Sequence, residues 1–394
     1  MITNCGLRKT VVLFEFLNET LGWNLSDIPC FNSVENWIKK SGYSVYINPQ
    51  LASTELEYGC IIDESIMVGN ERMILNLGVK AEKTTEKPLN YSDIEVLGIH
   101  IDSNWNASKI VDVLKEDEKK MGKKPSYIIS DNDTKLRKAI SDYGVPHILD
   151  VGHTLAMLLK RVYDKETDFC NFFKQISKVK IKEVMSNCSY LLPPRQRTIA
   201  RFMNLQDTIV WCDKIIKAFE TFTEKEKQVY RFVVENRNLI YELHLVFECV
   251  KKILCNIKTA GLSYNSIGAA ITLINKELNS KSKRVAKFAV SAIDYLLKES
   301  VKIPNSDARF NASSDMIESV FGCYKFRKSK NTLHGVTAYA LIIPLTTKMK
   351  DSGKGMDTNF RANLEGVYMR DLHQWKKNKL TENQAVKRKN KLAA

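Results

Sequence analysis

The feature that most constrains this chain is the order of its patterns between residues 58 and 163. Tyr58-Gly59-Cys60-Ile61-Ile62 predicts a strand ending at Asp63, and 72–79 and 94–101 predict two more. Polar turns at 68–71 and 88–90 link them, so these three strands form an antiparallel meander. Ile110, Val113 and Leu114 then recur at helical spacing within 107–120. Tyr127-Ile128-Ile129 predicts a short buried strand ending at Asp131. Asp133 can cap a helix carrying Leu136, Ala139 and Ile140, which Gly144 stops. His147-Ile148-Leu149 predicts a fifth strand, and Leu155, Leu158 and Leu159 mark the helix after it. The order is β-β-β-α-β-α-β-α, and few layered architectures begin on a meander and then alternate in this way.

The flanks are helical in pattern. Residues 1–50 predict two helices, one stopped by Gly22 and a short one from Ser33 closed by Gly42. With a short turn between them and Lys39-Lys40 at the end, they suggest a helix-turn-helix-like DNA-binding region. From 164 to 310 the chain is almost wholly helix-patterned, with segments at 206–221, 224–259, 264–278 and 281–300. An interval this long is expected to be an inserted all-helical domain, since structureless loops of that length are uncommon. Residues 55–163 are then the first part of a core that 311–350 closes, and 351–394 is a basic C-terminal tail, Lys-rich and expected to be mobile from Gln374 on.

The meander followed by alternating helices and strands is the order of the ribonuclease-H-like fold, an α/β core with a mixed five-stranded sheet. In that fold acidic residues on the first strand, at the end of the fourth and on a later helix converge on divalent metals. Asp63, Asp131 and Glu318 occupy those places. Carboxylates suit the task because Mg²⁺, with Mn²⁺ as substitute, is a hard cation that prefers oxygen ligands. Two such ions can activate an attacking oxygen and stabilise a leaving one at phosphorus. Taken singly, a strand-ending Asp is usually a turn residue, and Glu318 stands three positions after Asp315 as a capping-box glutamate would.

Three segments also resemble a known family. Ile61-Ile62-Asp63-Glu64-Ser65, Ile128-Ile129-Ser130-Asp131 and Ser313-Ser314-Asp315-Met316-Ile317-Glu318-Ser319-Val320-Phe321-Gly322 are similar to the acidic blocks of bacterial insertion-sequence DDE transposases. Asp150-Val151-Gly152-His153-Thr154-Leu155-Ala156 and the Pro-Pro-Arg-Gln-Arg run at 193–197 add to the resemblance, which extends from about residue 7 to 345. It implies metal-dependent DNA cleavage that frees a 3′-hydroxyl, strand transfer into target DNA, and a homodimer that brings two ends together. In that family a lysine follows the glutamate by seven positions, matched here by Lys325. The tyrosine and arginine that precede the glutamate are replaced by Asn311 and Ser314.

The charge balance agrees with a nucleic-acid partner. Lys and Arg outnumber Asp and Glu by 60 to 45, a net charge of +15. The longest apolar runs fall short of the roughly 20 residues a membrane-spanning helix needs. Nine scattered cysteines without a Cys-x-x-Cys pair suggest reduced thiols, hence a cytoplasmic, nucleoid-associated protein. Lys325, Arg327, Lys328 and Lys330 form the densest basic stripe, and Arg195, Arg197 and Arg201 a second cluster suited to phosphates. Ile317, Val320, Phe321 and Tyr324 form the stripe by which the glutamate helix would seat on the sheet. Asp150 and His153 fit either a place beside the metals or a helix cap with a partly buried histidine. Trp211 reads as a core residue. A different nuclease on the same fold and a non-catalytic, DNA-binding derivative are the competing expectations.

Overall fold

A computed structural model describes residues 6–195, 202, 205–279, 282–328, 335–348, 358–382 and 384–393. The chain divides into two compact units, one of residues 1–83, 88–148 and 313–394, the other of 84–87 and 149–312. Among the described residues no helix is long and apolar enough to cross a membrane.

The first unit is built on an open, mixed five-stranded sheet in the order β3-β2-β1-β4-β5. Its strands are β1 (Tyr58–Val68), β2 (Glu71–Lys80), β3 (Ile94–Asp102), β4 (Tyr127–Ser130) and β5 (His147–Leu149). The first three are antiparallel neighbours, while β1 and β4 are parallel, with Gly59 opposite Tyr127 and Ile61 opposite Ile129. Gly69, at φ +58°, takes the left-handed conformation that the tight β1–β2 turn requires.

Beyond its predicted end at Asp63, β1 runs on for five residues to Val68. The reason lies in its partners. Pairing with β4 ends at Ile61–Ile129, but pairing with β2 continues to the hairpin turn, so Asp63 sits inside a strand that has become an edge on one side.

Alternation along the strands sorts their side chains between two faces. Cys60, Ile62, Ile74 and Ile128 join one apolar cluster with Ile110, Val113 and Leu114 of α3 (Ala107–Met121) and Leu136, Ala139, Ile140 and Tyr143 of α4 (Thr134–Tyr143). Each of those large side chains is worth about 1.5–3 kcal/mol when enclosed. The Asn106 side chain caps α3 by accepting from Lys109 N, and Gly122 ends it at φ +69°. The Asp133 carboxylate caps α4 by accepting from Lys135 N and Leu136 N, and Gly144 ends it.

Helices from both chain ends complete this unit. Near the start lie α1 (Leu7–Leu21) and α2 (Phe31–Ile47). Gly42 does not close α2 as expected; it lies inside the helix, where a Cβ would overlap the Leu341 carbonyl oxygen. Glycine is therefore retained for close approach and not for a stop. The two helices belong to the sheet unit and do not form a unit of their own.

Among the described residues, the regular elements of the second unit are all helices. They are α5 (Val151–Tyr163), α6 (Thr167–Lys182), α7 (Leu205–Ala218), α8 (Glu224–Glu235), α9 (Arg237–Ala260), α10 (Tyr264–Glu277) and α11 (Lys283–Ser300). The expected segment 224–259 is two helices, broken at Asn236. The unit begins earlier than the predicted 164, because Tyr295 of α11 donates to Leu149 O and draws α5 in. Phe169, Phe172, Phe173, Phe202 and Phe232 form an aromatic core. Trp211 is buried and donates to Leu191 O, as a core residue should.

After the second unit the chain returns to the first through α12 (Asp315–Arg327), α13 (Ile342–Thr346), α14 (Phe360–Glu365), α15 (Met369–Lys379) and α16 (Gln384–Ala393). From Gln374 on, where mobility is expected, the described residues are largely helical; Leu372 and Trp375 of α15 are buried, with Trp375 edge-on to Tyr46 of α2. Two apolar anchors in a Lys-rich stretch suffice to seat this helix. Beneath α15 lies a buried polar network. Asp117 accepts from Asn76 and pairs with His100 at 3.2 Å, while Lys379 reaches Glu116. Lys120 Nζ donates to Leu97 O and lies 3.6 Å from the centre of the Tyr46 ring.

Candidate active site

Asp63 and Asp131 are brought together by strand register. Ile61 pairs with Ile129 across β1 and β4, so two residues further along each chain the aspartates stand level. Neighbouring strands lie about 4.7–4.9 Å apart. The aspartates meet beyond the point where β1–β4 pairing ends, at the carboxyl ends of parallel strands where open α/β sheets commonly bind ligands. Both line a cleft of about 230 Å³ together with Glu64, Ile66, Arg72, Asp133, Lys135 and Leu136. Asp63 Oδ1 accepts from Glu64 N at 2.7 Å, and Asp131 Oδ1 from Asp133 N at 3.0 Å. Ser130 Oγ donates to Asp131 O at 2.9 Å and lies 2.8 Å from His147 Nε2, which ties the end of β4 to β5.

By alternation Ile61, Asp63 and Ser65 share the sheet face opposite α3 and α4. The glutamate helix α12 lies on that side. Lys325 Nζ is 2.5 Å from Ser65 Oγ, and Lys328 Nζ reaches Met67 O. The helix therefore runs in the same sense as β1. Glu318, about 10 Å upstream of Lys325 along the axis, is carried back toward the Asp63 end of the strand. Ile317, Val320, Phe321 and Tyr324 are all buried, as the stripe requires, and Tyr91 OH bonds Ser319 Oγ at 2.6 Å. Glu318 itself is exposed and is not part of the cleft lining, and a Cβ on Gly322 would meet open space. Among the described residues no three His, Cys, Asp or Glu side chains are grouped so as to hold a metal ion. The structure thus brings Asp63 and Asp131 to one cleft and sets α12 on the same side of the sheet, with Glu318 exposed and outside the cleft lining.

The donor chemistry of the cleft fits a hard divalent cation, because Asp63 and Asp131 offer paired carboxylates at one level. Glu64 is otherwise engaged. It is largely buried and pairs with Arg72 Nη1 and Lys135 Nζ, each at 2.6 Å. Glu64, Arg72, Asp133 and Lys135 were not among the residues expected at the site. The signal for the first pair lies in the hairpin: with Glu64 opposite Ile74, Arg72 is its diagonal neighbour.

The remaining candidates divide as follows. Asp150 is buried in the helical unit and caps α5, its Oδ1 accepting from His153 N at 2.6 Å. This is the helix-cap alternative, with His153 half-buried beside it. Arg195 is exposed; partial burial, and then the charge of Arg195, hold the Lys180 ammonium below its ordinary pKa. Arg197, Arg201 and Lys330 lie outside the described residues. Arg327 Nη1 turns back to Cys323 O of its own helix. Burial and the nearby Lys325 lower the Lys328 pKa, the mark of two cations held close together. Compared with protein-family models and with curated proteins, the sequence matches none.

Proposed function

We propose that this chain is a DDE-type transposase, cutting DNA at element ends and joining them to target DNA on a ribonuclease-H-like core. The observation that carries this reading is that Asp63 and Asp131, each two residues past the last β1–β4 pair, line one cleft, with α12 on the same face as Asp63. The sheet order β3-β2-β1-β4-β5, antiparallel through its first three strands, supports the fold assignment.

In this reading Asp63 and Asp131 would hold Mg²⁺, with Glu318 of α12 completing the set. The metal supplies Lewis acidity at phosphorus and an activated oxygen nucleophile. The chain's own groups align the DNA. Lys325 and Lys328 present positive charge along β1 for the phosphate backbone, and open space beside Gly322 admits it. The protein works on DNA in the cytoplasm, as a dimer that engages two ends.

The test pairs metal binding with cleavage. Purified wild-type protein should bind Mn²⁺ and nick duplex DNA, while Asp63→Asn, Asp131→Asn and Glu318→Gln should each lose nicking and keep most DNA binding. Full nicking by any one of the three variants would sink the assignment. A non-catalytic DNA-binding derivative is the second reading, favoured by the place of Glu318 outside the cleft lining. Retained DNA binding with no Mn²⁺ uptake by the wild type would select it.

A further inference from the structure

In the helical unit, α6 ends on a bare apolar tip beside a row of cations. The inner side of the helix, with Phe169, Phe172, Phe173 and Ile176, is buried in the aromatic core. On the outer side Lys174, Lys178 and Lys182 recur every four residues, about 6 Å apart along the axis, and all three are exposed. Ile181, Val184 and Met185 stand at the helix end at three- and four-residue spacing, 78%, 52% and 95% exposed. A single exposed apolar residue needs no explanation, but a group of them does. The turn that carries the tip is hydrogen-bonded on both sides. Glu183 N donates to Val179 O at 2.9 Å, Ser186 N to Glu183 O at 3.1 Å, and Cys188 N to Ser186 Oγ at 3.0 Å. The hydroxyl of the buried Tyr230 donates to Cys188 O at 3.3 Å. Val184 and Met185 are therefore presented without the ordering cost that a loose loop meets on binding.

Charge selects the partner. From 174 to 195 the chain carries five cations, Lys174, Lys178, Lys180, Lys182 and Arg195, and one acid, Glu183, which is buried. Lysines in a last helical turn also complement the helix dipole, but the dipole does not call for an apolar tip beside them. A bilayer surface is the poorer match. A helix lying on one turns its apolar face to the lipid, and that face of α6 is taken up by the core. Proteins that kink duplex DNA combine the two features present at this end of α6. Cations hold the phosphates, and a small apolar wedge, such as Ile, Leu, Met or Phe, enters between base steps. We infer that the end of α6 is a DNA-bending wedge. Lys174, Lys178 and Lys182 follow one phosphate backbone, while Ile181 and Met185 enter the minor groove and unstack a base step. Duplex DNA as the partner rests on the function proposed above, but the wedge is a separate site, and none of its residues lines the Asp63 cleft.

Energy transfer between dyes at the two ends of a short duplex tests it, with the full chain and with EDTA present to prevent cleavage. A duplex of about 20 base pairs is about 68 Å long when straight, and a kink of about 60° brings its ends to roughly 59 Å apart. Saturating wild-type protein should therefore raise the transfer. Ile181→Ser combined with Met185→Ser, both at exposed positions, should leave the circular dichroism spectrum unchanged and abolish the rise. Binding should weaken less than about tenfold, since the cations supply most of the affinity. Lys178→Ala combined with Lys182→Ala should lower the slope of log affinity against log salt by about 1.8. A bound duplex that stays straight, or a rise that survives the double serine variant, overturns the inference; co-sedimentation of such a protein with phosphatidylserine vesicles would assign the tip to lipid. Bending without Mn²⁺-dependent nicking would sink the catalytic proposal alone, nicking of an unbent duplex would sink the wedge alone, and a wild type that binds no duplex would sink both.

Discussion

Replacing an interior helical glycine by alanine usually stabilises a helix by about 0.8–1 kcal/mol. At Gly42 we expect the opposite sign. A Cβ built there overlaps the Leu341 carbonyl oxygen and stands 2.7 Å from the carbonyl carbon. Carbon atoms settle at about 3.5–4.0 Å, so α2 would have to withdraw from the 341 region by roughly 1 Å. Both obstructing atoms are backbone and cannot rotate aside. Overpacking of this kind costs about 1–3 kcal/mol, and the immobile neighbour puts Gly42→Ala at the upper end. Subtracting the helix gain leaves a net loss of about 2 kcal/mol. For a unit of this size that is a fall of roughly 4–8 °C in its thermal transition. Differential scanning calorimetry would follow it, with Gly268→Ala in α10 as control, since a Cβ there meets open space and only the helix gain applies. A Gly42→Ala protein as stable as the wild type, or more so, would refute the close approach of α2 to residue 341.

Further outcomes follow from the buried and paired charges. Burial lowers the Lys120 pKa from 10.5 to about 8 against the pull of Asp117, Glu116 and Glu95, with Lys379 adding to the fall. The unfolded chain therefore binds this proton more tightly, so Lys120 opposes folding fully below pH 8 and progressively less toward 10.5. Relative to Lys120→Met, wild-type stability should rise by about 2 kcal/mol between pH 8 and 10 in urea titrations; a flat difference would disprove the shift. In the cleft, Glu64→Gln should release Arg72 and Lys135, tighten duplex binding and steepen its salt dependence by roughly 1–2 log units per log unit of salt. An unchanged slope would show that neither cation reaches a phosphate.

Much of the sheet unit was legible because its signals are local. Asp133 and Gly144 bracket α4, and the apolar runs 72–79 and 94–101 between polar turns identify β2 and β3 without knowledge of their partners. What escaped depends on partners distant in sequence. Glu64 and Ser65 look like the end of a strand, and only the hairpin with β2 shows that β1 continues through them. Gly42 looks like a stop because the reason for a glycine there is Leu341. The seating of α15 rests on Leu372 and Trp375, too few apolar residues to stand out among lysines. At the site, Asp131 was readable as a strand-end acid, while the place of Asp63 inside β1 and the Glu64 ion pairs needed the register of β1 against β2 and of α4 against the sheet.

The sheet unit is closed by helices from both chain ends, and this sets the timing of its assembly. Ser44 of α2 hydrogen-bonds Asn363, 319 residues later in the chain. At about 5–20 residues per second, synthesis needs roughly 15–60 s to cover that distance. Until then α2 lacks the cover that α13, α14 and α15 supply, and the residue that completes the proposed acidic set has been made only near the end. A chain cut short within the helical unit would lack α12 to α15 and leave the apolar side of α2 without the partners they supply.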